Sequence, residues 1–398
     1  MPKQTTTLFA NNAGGHIMLT IRQDTGINYN SIYDKLHHIY AKPECENMNL
    51  TVENTLFFDI ETTGFAAKNT KLYLIGCLYA DPDTEHLISI QWFLDDYDDE
   101  AKILHAFIDF SKDYKVLIHF NGQGFDIPYV EAKCASYNMD YSFDNFYHID
   151  LYKHASRLKN LFKTENLKQK TMEQFFGLNR EDTFSGGDLI AVYQEYMSTK
   201  DPLLLNFLQL HNYEDIKGMI TILDILSYSA ILDGAYKYNA IFIDISGDAS
   251  DIPRREAIIE YILDRPVPKR VSFGYKDCYI TTFEHKLKIK INIYTDELKY
   301  FYPNYKDYYY LPEEDMAVHK SVAFYVDKNY RVRAKAANCY SKKAGQFMPQ
   351  YDEIVTPYFK KEYGDKTLYF EVTEDFLNSP DTIYEYGKHV VEWLMKVK

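Results

Sequence analysis

The chain has 398 residues, 46% of them hydrophobic, which is enough apolar material for one large domain or two smaller ones. Its formal net charge of -14 argues against a protein that coats duplex nucleic acid through its phosphates, but leaves room for a local basic channel beside an acidic site. The five cysteines lack metal-binding spacing and no apolar run reaches the length of a membrane span, so we expect a soluble, cytoplasmic protein with reduced thiols.

The first clear pattern in chain order follows an N-terminal extension, residues 1–50, that we assign to no domain. An apolar run at 55–61 ends at Thr62-Thr63-Gly64, which is typical of a buried strand followed by a turn. Three consecutive strands, a helix and then alternating strands and helices predict an α/β domain at 51–234, with a mixed sheet flanked by helices. Its other predicted strands are 71–79, 86–94, 116–120 and 146–149, and its clearest helices are 100–110, one ending near 137 and one from about 202 past 215.

The pattern changes after about residue 235, where short strands replace helices. We predict a C-terminal β-rich α+β domain at 235–398 and assign it no role. Its predicted elements are strands at 275–280 and 286–294, a hairpin of 318–326 and 330–336 around Asp327-Lys328-Asn329, and a final helix at 382–395.

Four acidic residues of the first domain have the spacing of a metal site. Asp59 and Glu61 are two residues apart on a predicted strand, so their side chains point to one face. Asp126 follows the next inner strand across a glycine-containing turn, and Asp215 lies one helical turn after His211. Carboxylates are costly to bury unless they are paired or bound to a metal. Oxygen ligands suit Mg²⁺ or Mn²⁺, and two such ions can hold a scissile phosphate and activate water.

The same residues lie in three segments that carry a resemblance. The segments are DIETTG at 59–64, NGQGFD at 121–126 and HNYED at 211–215, and the order of the pieces at 150–151, 167–168 and 177–187 agrees. They resemble the three exonuclease motifs of the DEDD superfamily, and in particular the bacterial YprB-type RNase H-like domain proteins. The resemblance covers roughly residues 52–230.

The resemblance implies an RNase H-like fold and a metal-dependent 3'-5' exonuclease that acts on single-stranded DNA or RNA. It also implies roles for the four acids in a two-metal site. Asp59 would bridge both ions, Glu61 and Asp215 would complete the tighter site, and Asp126 would serve the second ion directly or through water.

His211 is the predicted general base, because the ordinary pKa of histidine suits proton transfer near neutral pH. Three residues separate it from Asp215, which is the spacing of the tyrosine subgroup of the family, so Tyr213 stays an alternative. Asp150 is predicted to cap the helix that follows it rather than to bind metal.

Two further groups of residues are assigned to the substrate. The first lies beside the acids and follows the resemblance, although Asn121 can equally shape a turn. The second is a basic ladder in the C-terminal domain, where alternate residues of a predicted strand share a face and could guide a single strand. The alternative for this ladder, and for the similar one at Lys286, Lys288 and Lys290, is a solvated sheet face. The assigned residues are Thr62, Gly64, Asn121, Phe125, Arg331, Arg333 and Lys335.

Two other functions remain open. An inactive RNase H-like scaffold that binds nucleic acid or supports an assembly would retain binding without cleavage. A structure-specific endonuclease would release internal fragments instead of mononucleotides. The expected partner is single-stranded nucleic acid, no membrane partner is expected, and the sequence does not determine the oligomeric state.

Overall fold

A computed structural model describes residues 18–96, 100–180, 186–246 and 254–397. The chain divides into two compact units. The first consists of Met1–Lys159 and Lys163–Ser227, and the second of Asn160–Phe162 and Tyr228–Lys398.

The first unit contains a six-stranded sheet in the order β1-β4-β3-β2-β5-β6. Its first four strands pair antiparallel, whereas β2, β5 and β6 run parallel to one another. The predicted mixed sheet is therefore confirmed. The strands are β1 Leu19–Asn28, β2 Thr55–Thr62, β3 Leu72–Asp81, β4 His86–Phe93, β5 Val116–His119 and β6 Tyr147–Asp150.

Helices cover both faces of this sheet, as predicted for the fold class. Successive residues of β2 point to opposite faces. Phe58 contacts Phe107 of α2 at 5.2 Å between ring centroids, while Asp59 hydrogen-bonds to Asn212 of α8. The helices of this part of the chain are α1 Asn30–Tyr40, α2 Glu100–Ser111, α3 Asp126–Ser136, α4 Leu151–Arg157, α5 Lys159–Phe162, α6 Gln169–Phe175, α7 Gly186–Thr199, α8 Pro202–Ile222 and α9 Ile225–Leu232.

Strand β1 belongs to the extension that the sequence left unassigned. It pairs with β4 from Leu19 opposite Phe93 to Asn28 opposite His86. It is therefore an additional strand of this sheet, beside the three predicted strands β2, β3 and β4. The domain limits 51–234 and 235–398 stay predictions.

The second unit is rich in β-structure, as predicted. A six-stranded antiparallel sheet has the order β14-β15-β13-β9-β8-β7, and a three-stranded sheet has the order β11-β10-β12. The strands are β7 Tyr236–Ser246, β8 Arg254–Tyr275, β9 Cys278–Phe301, β10 Tyr308–Leu311, β11 Met316–His319, β12 Val332–Arg333, β13 Tyr340–Gln350, β14 Tyr358–Phe359 and β15 Leu368–Glu371. The helices are α10 Lys320–Ala323, α11 Glu374–Leu377 and α12 Pro380–Lys396.

Two local predictions in this unit are wrong. The strand predicted at 275–280 is interrupted by a turn, in which Lys276 has a φ of 51°, so β8 ends before it and β9 begins after it. The predicted hairpin of 318–326 and 330–336 does not form, because β12 pairs with β10 instead of β11. Side chains that cap short helices compete with strand formation here. His319 accepts from the Ser321 N–H and Asp327 from the Asn329 N–H.

The cysteines are all buried and free, without disulfide partners. They are Cys45, Cys77, Cys134, Cys278 and Cys339. In the part of the chain that the structure describes, no helix combines the length and the apolar character needed to cross a bilayer.

Candidate active site

The central strand β2 presents two of the predicted acids on one face. Asp59 lies opposite Gly76 of β3 and Glu61 opposite Leu74 in the antiparallel register. The Glu61 side chain is buried and Asp59 is half-buried. The run of apolar residues before Asp59 places β2 in the core, and this fixes both carboxylates at the end of a rigid element.

Asp126 reaches the same strand from the turn after β5. Asn121 adopts a left-handed conformation with a φ of 64°, a 3-10 turn follows at Gly122–Gly124, and Asp126 is then the first residue of α3. The Asp126 carboxylate accepts hydrogen bonds from its own backbone N–H and from that of Ile60, which lies between the two acids of β2.

Helix α8 contributes the remaining predicted residues. The Nε2 atom of His211 lies 3.4 Å from Asp215 Oδ2 and 3.7 Å from Glu61 Oε1. Ligand atoms of these three residues all lie within 4.8 Å of one another. His211 is 5% exposed, and it shares a face with Asp215 because the two are four residues apart on a helix.

The pKa values of two of the acids are raised, because they are buried and lie close to other carboxylates. Burial and the charges of Asp215, Asp126 and Glu61 raise the pKa of Asp59 well above its usual range, against the opposing charge of Arg180. Burial also raises the pKa of Asp126 to about 7, together with the charges of Asp215 and Asp150, although backbone hydrogen bonds oppose the shift. Such a group of carboxylates is stabilised by a bound cation, since each anion disfavours the others.

Arg180 is a buried cation to which the sequence analysis gave no role, although it lies in the segment 177–187 that agrees with the resemblance. Its Nη1 forms an ion pair with Asp215 Oδ1, and its Nε forms one with Glu173 Oε2. Gln169 Nε2 donates to the Asp215 carbonyl at 2.7 Å and to Glu173 Oε1 at 3.0 Å. A Cβ atom on Gly218 would lie 1.9 Å from Glu173 Oε1, so glycine permits this close approach. These contacts hold the side chain and the backbone carbonyl of Asp215 in fixed positions.

Two buried amides hold Asp59 in a similar way. Asn212 Nδ2 donates to Asp59 Oδ2 at 2.9 Å, and Gln91 Nε2 donates to Asn212 Oδ1 at 2.9 Å. A Cβ atom on Gly76 would lie 1.8 Å from Asn212 Oδ1, so only glycine leaves room for this contact. The available signal was a glutamine in an otherwise apolar strand, but its partner could not be inferred from spacing.

Residues 56–227 match the family model of the RNase H superfamily. The first unit has an RNase H-like fold. A search of curated proteins found no match.

Several solved structures resemble the chain. The family B DNA polymerase from the hyperthermophilic archaeon Pyrobaculum calidifontis is 14% identical over 62% of this chain and 33% of that chain, with a TM-score of 0.35. Escherichia coli Exonuclease I in complex with a dT13 oligonucleotide is 12% identical over 52% of this chain and 54% of that chain, with a TM-score of 0.26. The zinc-bound form of the E. coli ExoI-ssDNA complex is 11% identical over 53% and 55%, with a TM-score of 0.27. The chain thus spans about half or less of these proteins.

The residues assigned to substrate in the RNase H-like unit lie in the turns that carry the acids. Thr62 Oγ1 donates to the Gly64 carbonyl at 2.9 Å. Phe125 contacts Phe65 edge to face at 5.9 Å, and Phe65, which the sequence reasoning overlooked, is 91% exposed. These contacts define the shape of the turns, and the assignment to substrate stays a prediction.

Asn121 and Asp150 are linked to each other. The Asn121 backbone N–H donates to Asp150 Oδ1 at 3.0 Å, and the same carboxylate accepts from the N–H groups of Tyr152 and Lys153 at the start of α4. The prediction that Asp150 caps this helix is confirmed.

The basic ladder predicted at Arg331, Arg333 and Lys335 does not lie on one strand. Strand β12 contains just Val332 and Arg333, and Lys335 instead precedes a 3-10 helix at Ala336–Asn338, so the three basic residues do not alternate along one strand. The prediction of a common strand is wrong because the side chain of Asn338 accepts from the Lys335 N–H and turns the chain.

The second predicted ladder is partly neutralised. Lys288 pairs with Glu260 at 2.8 Å, and Lys290 lies 3.7 Å from Glu256. Glu260 of β8 lies directly opposite Lys288 of β9, and Glu256 lies diagonal to Lys290, so the ladder is better described as a cross-strand set of ion pairs than as a basic face.

Proposed function

We propose that the chain is a metal-dependent nuclease that hydrolyses terminal phosphodiester bonds of single-stranded DNA or RNA in the 3'-5' direction. The observation that carries the proposal is the cluster of Glu61, His211 and Asp215, whose ligand atoms lie within 4.8 Å of one another beside Asp59 and Asp126. Acids drawn from a strand, a turn and a distant helix rarely converge on one buried point without a ligand, because their mutual repulsion is costly.

The donor set fits hard divalent cations. Asp59, Glu61, Asp126 and Asp215 would hold Mg²⁺ or Mn²⁺, in two sites, because these ions prefer oxygen ligands. The upward pKa shifts of Asp59 and Asp126 support this fit, since a cation would relieve the repulsion that causes them. Bound ions would supply polarisation of the scissile phosphate and a lower pKa for the attacking water.

His211 is suited to accept the proton from that water. Its Nε2 atom lies between Glu61 and Asp215, and both carboxylates would stabilise the imidazolium that forms. Tyr213, the alternative, stands two residues later on a different face of α8, where its ring lies 5.3 Å from the Lys217 ammonium. We therefore assign the base to His211.

Direction and substrate rest on the motif resemblance and on charge. The three motifs resemble those of DEDD exonucleases, which supports removal of nucleotides from a 3' end. The net charge of -14 favours a site that admits a single-stranded end over one that grips a duplex.

The deciding experiment is a cleavage assay with the purified chain. Single-stranded DNA and RNA labelled at either end would be incubated with Mn²⁺, Mg²⁺ or EDTA, beside Asp59→Asn and a matched control, Asp83→Asn, at an exposed turn. We expect stepwise 3' shortening that requires metal and Asp59 and is unaffected in the control. Full activity of Asp59→Asn would contradict the proposal. Internal fragments would indicate an endonuclease, and binding without cleavage an inactive scaffold.

A further inference from the structure

The second unit exposes a group of aromatic rings among basic side chains, in the segment between β11 and the end of β12. We call it the aromatic–basic patch and define it by Phe324, Tyr325, Lys328, Tyr330, Arg331 and Arg333. Phe324 is 76% exposed, Tyr325 87% and Tyr330 52%. Exposure of neighbouring large rings to this extent is unusual for a surface that contacts only water.

The rings are open to a partner on their faces. Phe324 and Tyr325 meet edge to face, with ring centroids 5.5 Å apart and planes at 89°. This arrangement turns the two rings in different directions, and neither is stacked on the other. An exposed ring face can take a planar group such as a nucleic-acid base.

The cations of the patch are held in place by the fold. The guanidinium groups of Arg331 and Arg333 lie 5.0 and 4.7 Å from the ring centroid of Tyr309. Arg331 also donates to the Ala323 carbonyl, which ties the two ends of the segment together. Side chains that are already ordered lose less conformational entropy when they bind an anion.

The patch is positively charged in an acidic protein. Residues 320–335 contain five basic residues and one acid, Asp327. Asp327 accepts from the Asn329 N–H within its own turn, and Lys320 pairs with Asp307 at 2.7 Å. Within the described ranges, the other four basic side chains form no ion pair, so their charge is available to a partner. They are Lys328, Arg331, Arg333 and Lys335.

We propose that the aromatic–basic patch binds single-stranded nucleic acid, with bases stacked on Phe324, Tyr325 and Tyr330 and phosphates beside Lys328, Arg331 and Arg333. The choice of nucleic acid rests on the proposed function. A single strand fits the patch better than a duplex does, because its base faces are accessible to the rings. The patch would thus hold the substrate strand through contacts separate from those that cleave it.

The test is a binding measurement under conditions that prevent cleavage. The full chain carrying Asp59→Asn, in EDTA, would be titrated into fluorescein-labelled oligothymidylate while fluorescence anisotropy is recorded. In that background, Phe324→Ser and Tyr325→Ser should each weaken binding about tenfold. Tyr363→Ser, at a 48% exposed tyrosine of the same unit, is the matched control and should change nothing.

The salt dependence of binding tests the contribution of the charges separately. Lys328→Gln should reduce the dependence of log K on log salt by about 0.7, whereas Lys366→Gln, at another exposed lysine, should leave the slope unchanged. The aromatic variants should keep the full slope. Stacking and phosphate contact are therefore separable in one titration series.

Unchanged affinity of both aromatic variants, or an equal loss in the Tyr363→Ser control, would overturn the inference. So would the absence of any binding. Patch-dependent binding without any nuclease activity would support the inference and contradict the proposed cleavage. Cleavage by the unmodified chain, together with binding that the patch variants leave unchanged, would support the proposed cleavage and contradict the inference.

Discussion

Asn212 shows how a neutral side chain can control a charged one. It donates to Asp59 Oδ2 and accepts from Gln91, and the exposed surface of both amides is close to zero. An amide donor orients the carboxylate without adding a positive charge that would compete with a bound cation.

We expect Asn212→Leu to reduce nuclease activity about 10- to 100-fold and to weaken Mn²⁺ binding, because the leucine keeps the branched shape but loses the hydrogen bond to Asp59. Calorimetric titration with Mn²⁺ and the cleavage assay would measure the two effects. Asn206→Leu, at an exposed position of the same helix, is the control. Equal Mn²⁺ affinity in Asn212→Leu and the unmodified protein would show that Asn212 has no positioning role.

Arg180 and Glu173 form a buried ion pair. We expect Arg180→Met to lower the free energy of unfolding in EDTA by about 3–5 kcal/mol, since it leaves the buried Glu173 carboxylate without its partner. The double variant Arg180→Met with Glu173→Gln should recover part of this loss, because Glu173 is then neutral and only Asp215 still lacks the guanidinium. Urea unfolding of the single and double variants gives both numbers, and a double variant as unstable as the single would refute the account.

At the scale of elements, strands β5 and β6 are linked by a pair of histidines. His119 Nδ1 accepts from the Gly122 N–H at 3.0 Å, and its Nε2 lies 3.3 Å from His148 Nδ1. The contact with Gly122 requires a neutral His119, because Nδ1 must keep its lone pair to accept the hydrogen bond. Burial lowers its pKa from 6.5 to about 3, with the charges of His148 and Lys153 as smaller causes.

The pH dependence of stability follows from this shift. Below pH 6.5 the unfolded chain binds a proton that the folded His119 excludes, so the free energy of unfolding falls as pH drops from 6.5 towards 3. From pH 7 to pH 5 this contribution is about 2 kcal/mol. In His119→Asn the loss should be smaller by about that amount, measured by urea unfolding at the two pH values. The surface variant His105→Asn should match the unmodified protein, and an equal loss in all three would contradict the prediction.

Elements that depend on local pattern were predictable, and those that depend on side-chain caps were not. The apolar run of β2 and the long α8 stand within a residue or two of their predicted positions. The hairpin at 318–336 failed because His319 and Asp327 cap short helical turns, a choice that strand propensity does not register.

The residues of the site divide in the same way, into those that a local pattern identifies and those that it does not. Asp59 and Glu61 are identifiable because they are two apart on an apolar strand. Arg180 and Asn212 contact the acids, and Gln91 contacts Asn212, only through the tertiary fold. Arg180 and Asn212 lie in segments that carry the resemblance, but no spacing in the sequence reveals these partners.

At the scale of the whole molecule, the proposed metal site should couple metal binding to thermal stability. A ligand that binds only the folded state stabilises it by about 2.7 kcal/mol at 100 times its dissociation constant. We therefore expect Mn²⁺ to raise the Tm of the protein and EDTA to lower it, as followed by scanning fluorimetry.

The response should depend on the carboxylates themselves. In EDTA, Asp59→Asn should have a higher Tm than the unmodified protein, because one repelling charge is removed from a crowded cluster. Its response to Mn²⁺ should be smaller, whereas Asp83→Asn should respond fully. A full Mn²⁺ response in Asp59→Asn would place the metal elsewhere.

The burial of all five cysteines makes the native protein a convenient background for site-directed labelling. Thiols enclosed in apolar surroundings react slowly, and burial raises the pKa of Cys134 and Cys339 to about 11, which suppresses the reactive thiolate. A maleimide dye should therefore leave the five natural cysteines unmodified and attach to a single cysteine introduced at an exposed position beside the aromatic–basic patch, such as Val322→Cys. A fluorophore there would report the arrival of a strand in real time, without removal of any natural cysteine.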